Sequence, residues 1–438
     1  MTTKRQLHLN TNASNVGRHP AGWRTLPNPR SGIDVNFYRE IAQLAEREKF
    51  DAIFLSDTLS LRNPAAGPSQ SLEPTVLLAA LAGATTHIGL IGTASTTFND
   101  PFNLARRFAS VDHISGGRVA WNVVTTYDAA AAANFGADAS PDKAQRYARA
   151  NEFVDVVNKL WDSWEDDALV ADQATGRYAD VDKIHTIDHR GSHFSVAGPL
   201  TVPRSPQGRP VLVQAGSSED GRALAARTAD AIFTAQTTLT SGQAFYADIK
   251  ARARAAGRNP DHIHILPGLL PVLGGTEAEA RAHKAELDAL LDTSREIARL
   301  AGVLGLHAED LHIDRPLPYD LIAKVARSTQ SQGFVDATLH QAREGNLTVR
   351  EILDRNPGAH RIVVGTPEQV ADDIATWFAQ RGADGFNLNA DVFPSGLAAV
   401  VEHVVPLLQR RGIFRRDYEG STLREHFDLP RPASRYAA

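Results

Sequence analysis

The stretch SGGRVAWNVVTTYDAAAAANFG, Ser115 to Gly136, decides the reading of the fold. Val119 to Val124 is a short, mostly apolar run behind a Gly-Gly turn, which reads as a buried strand. Asn122 interrupts it, and two threonines, a tyrosine and an aspartate follow at its carboxyl end, before five alanines that read as a small-residue loop. A buried amide without partners costs about 1–3 kcal/mol. Asn122 therefore needs something to bind.

Working outward, the same kind of run recurs at 6–10, 51–56, 87–93, 210–216, 230–235, 262–268 and 384–390, which with 118–124 makes eight strand candidates. Helix-period segments lie between them, among them 35–49, 101–114, 147–164 and 367–382. Alternation of this kind implies parallel strands, and eight of them predict an α/β fold of the (β/α)8 TIM-barrel class. No G-x-G-x-x-G follows the first strand, which counts against a dinucleotide-binding fold. The chain reads as one barrel domain over 1–438, with polar or Pro/His-rich insertions at about 165–209 and 269–360, the second opening on a helix near Glu277 to Leu300. A charged, aromatic-bearing extension from about Arg410 is expected to pack on the barrel or on a partner subunit.

Composition narrows the function. A net charge of −5, from 46 basic and 51 acidic residues with no basic block, lacks the footprint of a nucleic-acid binder. The absence of cysteine removes disulfides, thiolate nucleophiles and thiolate-bound metals. The amino terminus carries no apolar signal core and no apolar run is long enough for a bilayer, so a cytoplasmic protein without membrane attachment is expected.

In a parallel barrel, chemistry sits at the carboxyl ends of the strands. There the sequence places Ser56-Asp57, Thr93 to Thr97, Asn122 with Thr125-Thr126, Gln214 to Ser218, and Thr234 to Gln236. Hydroxyls, amides and one carboxylate suit a large heterocycle with many hydrogen-bonding edges rather than a metal. In QAGSSEDGRALAA, Gly216, Ser217 and Ser218 run from a strand into a helix, which is either a phosphate site or an ordinary serine N-cap. Tyr147 and Arg146 open a long helix and could reach the same group. His19, Trp23 and Arg24 in GRHPAGWR follow the first strand and are candidates for the substrate entrance, with Asn10 and Asn12 behind them. His185, His189 and His193 have the spacing of helical metal ligands, but Asp188, Arg190, Gly191 and Ser192 favour a turn, so no metal site is assigned.

These words together, with RYARANEFVDVVNKLWDSW, RPVLVQAGSS, IVVGTPEQVADDIATWF and GADGFNL, carry a resemblance. Over almost its whole length the chain resembles the bacterial-luciferase-like, two-component flavin monooxygenases of the nitrilotriacetate, dibenzothiophene-sulfone and pristinamycin-synthase type. The resemblance implies a barrel that binds FMN, as FMNH2 supplied by a separate NAD(P)H:FMN reductase, and uses O2 to oxygenate or cleave a small organic substrate. It implies flavin contacts from Asp57, Thr93, Asn122, Tyr147, Ser217 and Ser218, with Ser217, Ser218 and Tyr147 at the phosphate. Relatives often have histidine where this chain has Lys143, which can meet phosphate as a point charge but cannot act as a neutral imidazole. The resemblance names no acid or base for this chain, and it implies a homodimer or tetramer. An F420- or flavin-dependent oxidoreductase on the same barrel and a non-catalytic flavin-binding protein remain as alternatives.

Overall fold

The computed structural model describes residues 5–61, 64, 67–325, 332–355 and 360–436. Nine parallel strands form its main sheet: β1 (His8–Asn12), β2 (Ala52–Leu55), β3 (Gly89–Ser95), β4 (Val119–Val124), β5 (Val211–Gln214), β6 (Ala231–Thr234), β7 (His264–Leu273), β8 (Arg361–Gly365) and β9 (Gly385–Leu388). Their order is β6-β5-β4-β3-β2-β1-β9-β7-β8, and an extra β6–β7 pairing closes the first eight into a barrel. These eight are the runs expected from the sequence. β7 is longer than expected: it pairs with β6 from His264, with β9 around Gly268, and with β8 from Leu269 to Leu273. β8 is thus a ninth strand laid on the projecting end of β7, and the sequence reading missed it.

Alternation sorts the strand residues onto two faces. Leu9, Ile53, Leu55, Leu90, Val119, Trp121 and Leu212 pack outward under the helices. Ala52, Phe54, Ile91, Ala120, Val211, Val213, Ala231 and Leu266 fill the interior. Leu423, Phe427 and Leu429 of the tail join that inner cluster, so the extension packs on the barrel and plugs its amino-terminal end. Gly89 has no room for a side chain there, because a Cβ would overlap Leu423 Cδ1.

The helices begin at recognisable caps. α1 (Val35–Arg47), α3 (Pro101–Ile114) and α5 (Lys143–Trp161) start behind Asp34, Asp100 and Asp142, whose side chains accept first-turn N–H groups. α2 (Pro74–Ala82) starts behind Glu73 in the same way. The alanine run corrects one expectation: it is not a loop but a short helix, α4 (Ala129–Asn134), capped by Asp128. Alanine's helix propensity and a cap suffice to fold it. Beyond the barrel's midpoint come α6 (Glu219–Thr228) and α7 (Leu239–Ala255).

The stretch from 165 to 209 contributes two small antiparallel hairpins, Leu169–Asp172 with Arg177–Ala179 and His189–Arg190 with Ser195–Val196. After β7 the chain builds α8 (Glu277–Asp288), α9 (Thr293–Leu304), α10 (Tyr319–Ile322), α11 (Gln332–Glu344) and α12 (Val349–Arg355), of which α9 to α12 share an apolar cluster of their own around Leu300, Leu304, Leu339 and Ile352. The helix expected from Glu277 to Leu300 is therefore two, broken before Asp292, which caps the second. Residues 326–331 and 356–359 of this insertion lie outside the described residues. The chain returns through β8, α13 (Pro367–Ala379) and β9. Among the described residues no helix is long and apolar enough to cross a membrane.

Candidate active site

Asn122 finds its partner across the rim. It stands in register with Thr93 on β3 and its Nδ2 donates to Thr93 Oγ1 at 2.8 Å. Its Oδ1 is buried with no partner among the described residues. The same holds for Oδ1 of Asn10 and of Asn387, which face each other in register on β1 and β9, each 1% exposed. Beside them Asn12 Nδ2 donates to Asn389 Oδ1 at 3.1 Å. A layer of amides therefore lies on the inner wall above the apolar filling. Buried polar atoms in native proteins are nearly always satisfied, and an unmet acceptor costs roughly 1–3 kcal/mol. Three such acceptors on the inner wall fit a ligand that brings N–H donors to the barrel.

At the next rim position Ser218 is the N-cap of α6, accepting from Gly221 N at 3.3 Å, and its hydroxyl lies 3.3 Å from Tyr147 Oη. The serine pair is a cap, and at the same helix N-terminus a phenol and two hydroxyls meet. Ser217 Oγ lies 3.2 Å from Thr234 Oγ1 at the end of β6. Gly216 and Gly221 permit this closeness. A Cβ on Gly216 would overlap the Gln214 amide, and one on Gly221 would lie 3.1 Å from Tyr147 Oη. Lys143, half-exposed in the first turn of α5, places Nζ 2.8 Å from Asp220 Oδ2 in the first turn of α6. It stands beside the serine loop with its charge shared with a carboxylate. Arg146 Nη1 donates to Pro141 O at 2.6 Å and ties down the start of its own helix.

Asp57 is half-buried at the end of β2; its carboxylate accepts from the adjacent Thr58 N at 2.8 Å, and burial, with nearby Glu73, raises its pKa. His19 Nε2 lies 3.1 Å from Asp288 Oδ1 and Arg24 Nη1 donates to Leu290 O at 2.6 Å, so the loop after β1 is fastened to the end of α8. Trp23, half-buried, packs against the main core and lies beside Gly67. His185, His189 and His193 sit in and before a hairpin; His185 Nε2 meets Glu165 at 2.8 Å, and His189 Nε2 meets Glu152 at 3.0 Å.

Sequence reasoning passed over Asn387, Asn389 and His360. The two asparagines break the apolar run of DGFNLNA as Asn122 breaks its own, and the same question would have found them. His360 had no such signal. Its ring stacks on Phe233 with centroids 5.2 Å apart and fills the space that Gly268 leaves free on the inner face of β7. Burial holds it neutral, well below the usual imidazole pKa, with the charge of Arg18 adding to the effect.

A sequence profile described as luciferase-like monooxygenase matches residues 18–385. The chain is 44% identical over 439 residues to N-acetyl-S-(2-succino)cysteine monooxygenase of Bacillus subtilis, covering 99% of both chains. It is 45% identical over 454 residues to nitrilotriacetate monooxygenase component A of Aminobacter aminovorans, covering 100% of this chain and 99% of that one. Among solved structures, a riboflavin lyase described with modified FMN and riboflavin superposes with a TM-score of 0.85 at 33% identity, over 96% of this chain and 95% of the other.

Proposed function

The chain belongs to the luciferase-like monooxygenase family, and from that membership we propose that it is a flavin-dependent monooxygenase acting in the cytoplasm, taking FMNH2 from a separate NAD(P)H:FMN reductase and using O2 to oxygenate or cleave a small organic substrate. The observation that carries the flavin is the pairing of two features on one rim. Unmet amide acceptors line the barrel mouth, and a hydroxyl-lined helix N-terminus lies beside it. The first suits the N–H donors of an isoalloxazine ring, the second a phosphate.

The residues fit the cofactor and divide the work of holding it. Ser217, Ser218 and Tyr147 would bind the phosphate, with the α6 N-terminus adding favourable polarity and Lys143 a nearby positive charge. Thr93 and Asn122 would fix the ring system by hydrogen bonds, Asn10 and Asn387 would receive its donors, and Asp57 would lie at the edge of the site. His19 and Trp23 would stand at the substrate entrance. Reduced flavin supplies the activation of O2; the protein orients the reactants and keeps water out. The tail plug and the apolar interior below the amide layer close the barrel from beneath. Two relatives with names that specify a thioether-bearing and an amine-bearing polycarboxylate make C–S or C–N bonds the first targets to try.

Oxygen uptake is the direct test. With a reductase, NADH and FMN, the protein should consume O2 in a substrate-dependent way and release less hydrogen peroxide when the right substrate is present. Substrate oxidation under anaerobic conditions with F420, or FMN binding without any substrate-dependent oxygen uptake across a panel of sulfur and amine compounds, would replace this reading with one of its two rivals.

A further inference from the structure

Next to the serine loop, and sharing Ser217 with it, lies a cavity of about 550 Å³ whose other lining residues have no role above. Its floor is Ser217 and the loop after β6, Ala235 to Thr237; one wall is the first turns of α7, and the other is α11 of the insertion. Thr237 is 8% exposed, and its Oγ1 has no hydrogen-bond partner among the described residues. The capping box of α7 joins Thr238 and Ser241 to each other, leaving the first-turn N–H groups of Leu239 and Thr240 outside it. A helix N-terminus of 17 residues thus points to the same space as a buried hydroxyl without a partner.

The charged groups lining the cavity are Arg222 and Arg343 against one carboxylate, Asp336, while His340, also in the lining, is paired with Glu344 at 3.1 Å. Arg222 is held by Asp248 at 3.1 Å and Arg343 lies over the Tyr319 ring at 4.9 Å, so both guanidinium groups are set in place by neighbours. Ala235, Ala244, Phe245, Ala337 and Leu339 make the rest of the lining apolar. A positive end with donors and an apolar remainder describe a ligand with an anionic head and a hydrocarbon body.

We propose that this cavity holds the substrate by its carboxylate: Thr237, the α7 N-terminus and Arg343 take the anionic head, while the apolar wall receives the body. The inference rests on the reading of the adjoining rim as the flavin site, since Ser217 is common to both. An FMN phosphate would share the chemistry of a carboxylate, so the test separates the two.

Calorimetry of the full chain with (phenylthio)succinate, its dimethyl ester and FMN provides that separation. The diacid should bind at least about tenfold more tightly than the ester and lose affinity as salt rises. Thr237→Val and Arg343→Gln should each weaken the diacid about fivefold or more, leaving FMN affinity unchanged, and Arg343→Lys should recover part of it. Equal binding of acid and ester, no binding of the diacid, or diacid affinity indifferent to both substitutions overturns the proposal. So does loss of FMN affinity in the Thr237 and Arg343 variants, which would give the cavity to the flavin phosphate. If the diacid binds as expected and FMN does not bind at all, the flavin reading fails and the carboxylate site stands.

Discussion

At the scale of single residues, the rim sets function against stability at Asn122 and at the serine pair. Leucine at 122 keeps the branching at Cγ while adding some bulk, removes an unmet carbonyl oxygen and leaves Thr93 without its donor, the last two effects opposing each other at about 1–2 kcal/mol each. Asn122→Leu should therefore keep its unfolding free energy within about 1 kcal/mol of the parent while losing flavin affinity. A variant that unfolds far more easily yet binds flavin as before would make Asn122 a structural amide. The serines should separate in the opposite way. Ser218→Ala removes a cap and should cost about 1 kcal/mol of stability, whereas Ser217→Ala should not. Together they should weaken FMN binding by roughly 1–3 kcal/mol, as expected for hydrogen bonds to a charged group, read by flavin fluorescence titration. Unchanged affinity in the double variant would leave only the cap.

At the scale of elements, α8 clamps the loops that rise from β1 and β9. His283 Nε2, midway along the helix, meets Asp391 Oδ2 at 2.8 Å, and His19 meets Asp288 at its carboxyl end. The hydrogen bond to Asp391, reinforced by its charge and that of Glu286, raises the His283 pKa against a smaller opposing effect of burial. A histidine with a raised folded pKa contributes stability that is complete below its unfolded value, about 6.5, and is lost as pH rises through the folded one. The clamp should thus loosen on the alkaline side. Thermal midpoints of His283→Gln should lack the part of the decline between pH 6 and 9 that the parent shows; parallel curves would assign that decline elsewhere. This contact also shows where the sequence stopped being informative. The eight barrel strands are local runs with their own polar ends, and each was legible. Asn12 and Asn389, or His283 and Asp391, meet only because the barrel closes and an insertion folds back over it, and β8 is a strand only because β7 projects far enough to pair with it. The serine loop was legible as two alternatives because a cap and a phosphate site use the same atoms.

At the scale of the whole molecule, plugging the barrel with the tail and packing its interior leaves imidazoles in places where they resist taking a proton. His264 sits in the lower interior against His8 and Phe427, with Nε2 2.6 Å from Phe427 O, and burial pushes its pKa down to about 3. His426 in the tail is lowered to about 4, and His360 at the mouth is held well below 6.5, both chiefly by burial. An unfolded chain would protonate all three near pH 6.5, so the folded state loses stability as pH falls below that value. Asp112 works the other way. Buried beneath β4, it accepts from Val119 N and Gln207 Nε2, and burial raises its pKa to about 6, so it adds stability as pH falls from about 6 toward 3.8. Three protons withheld against the one retained by Asp112, with Asp57 and Asp162 also raised, leave a net difference of at most about two, or up to about 3 kcal/mol of lost stability per pH unit at about 1.4 kcal/mol each. Urea unfolding at pH 7, 6 and 5 should show this fall beginning close to pH 6.5, well above the range where the ion-paired carboxylates Asp51 and Asp384 titrate, since both are held below 3.8. His264→Gln keeps a donor for Phe427 O and removes one withheld proton, so its slope should be shallower by about 1.4 kcal/mol per pH unit. A parent protein whose stability is flat or rising from pH 6.5 down to 5 would mean that these histidines reach solvent, and that the barrel is not sealed by its tail.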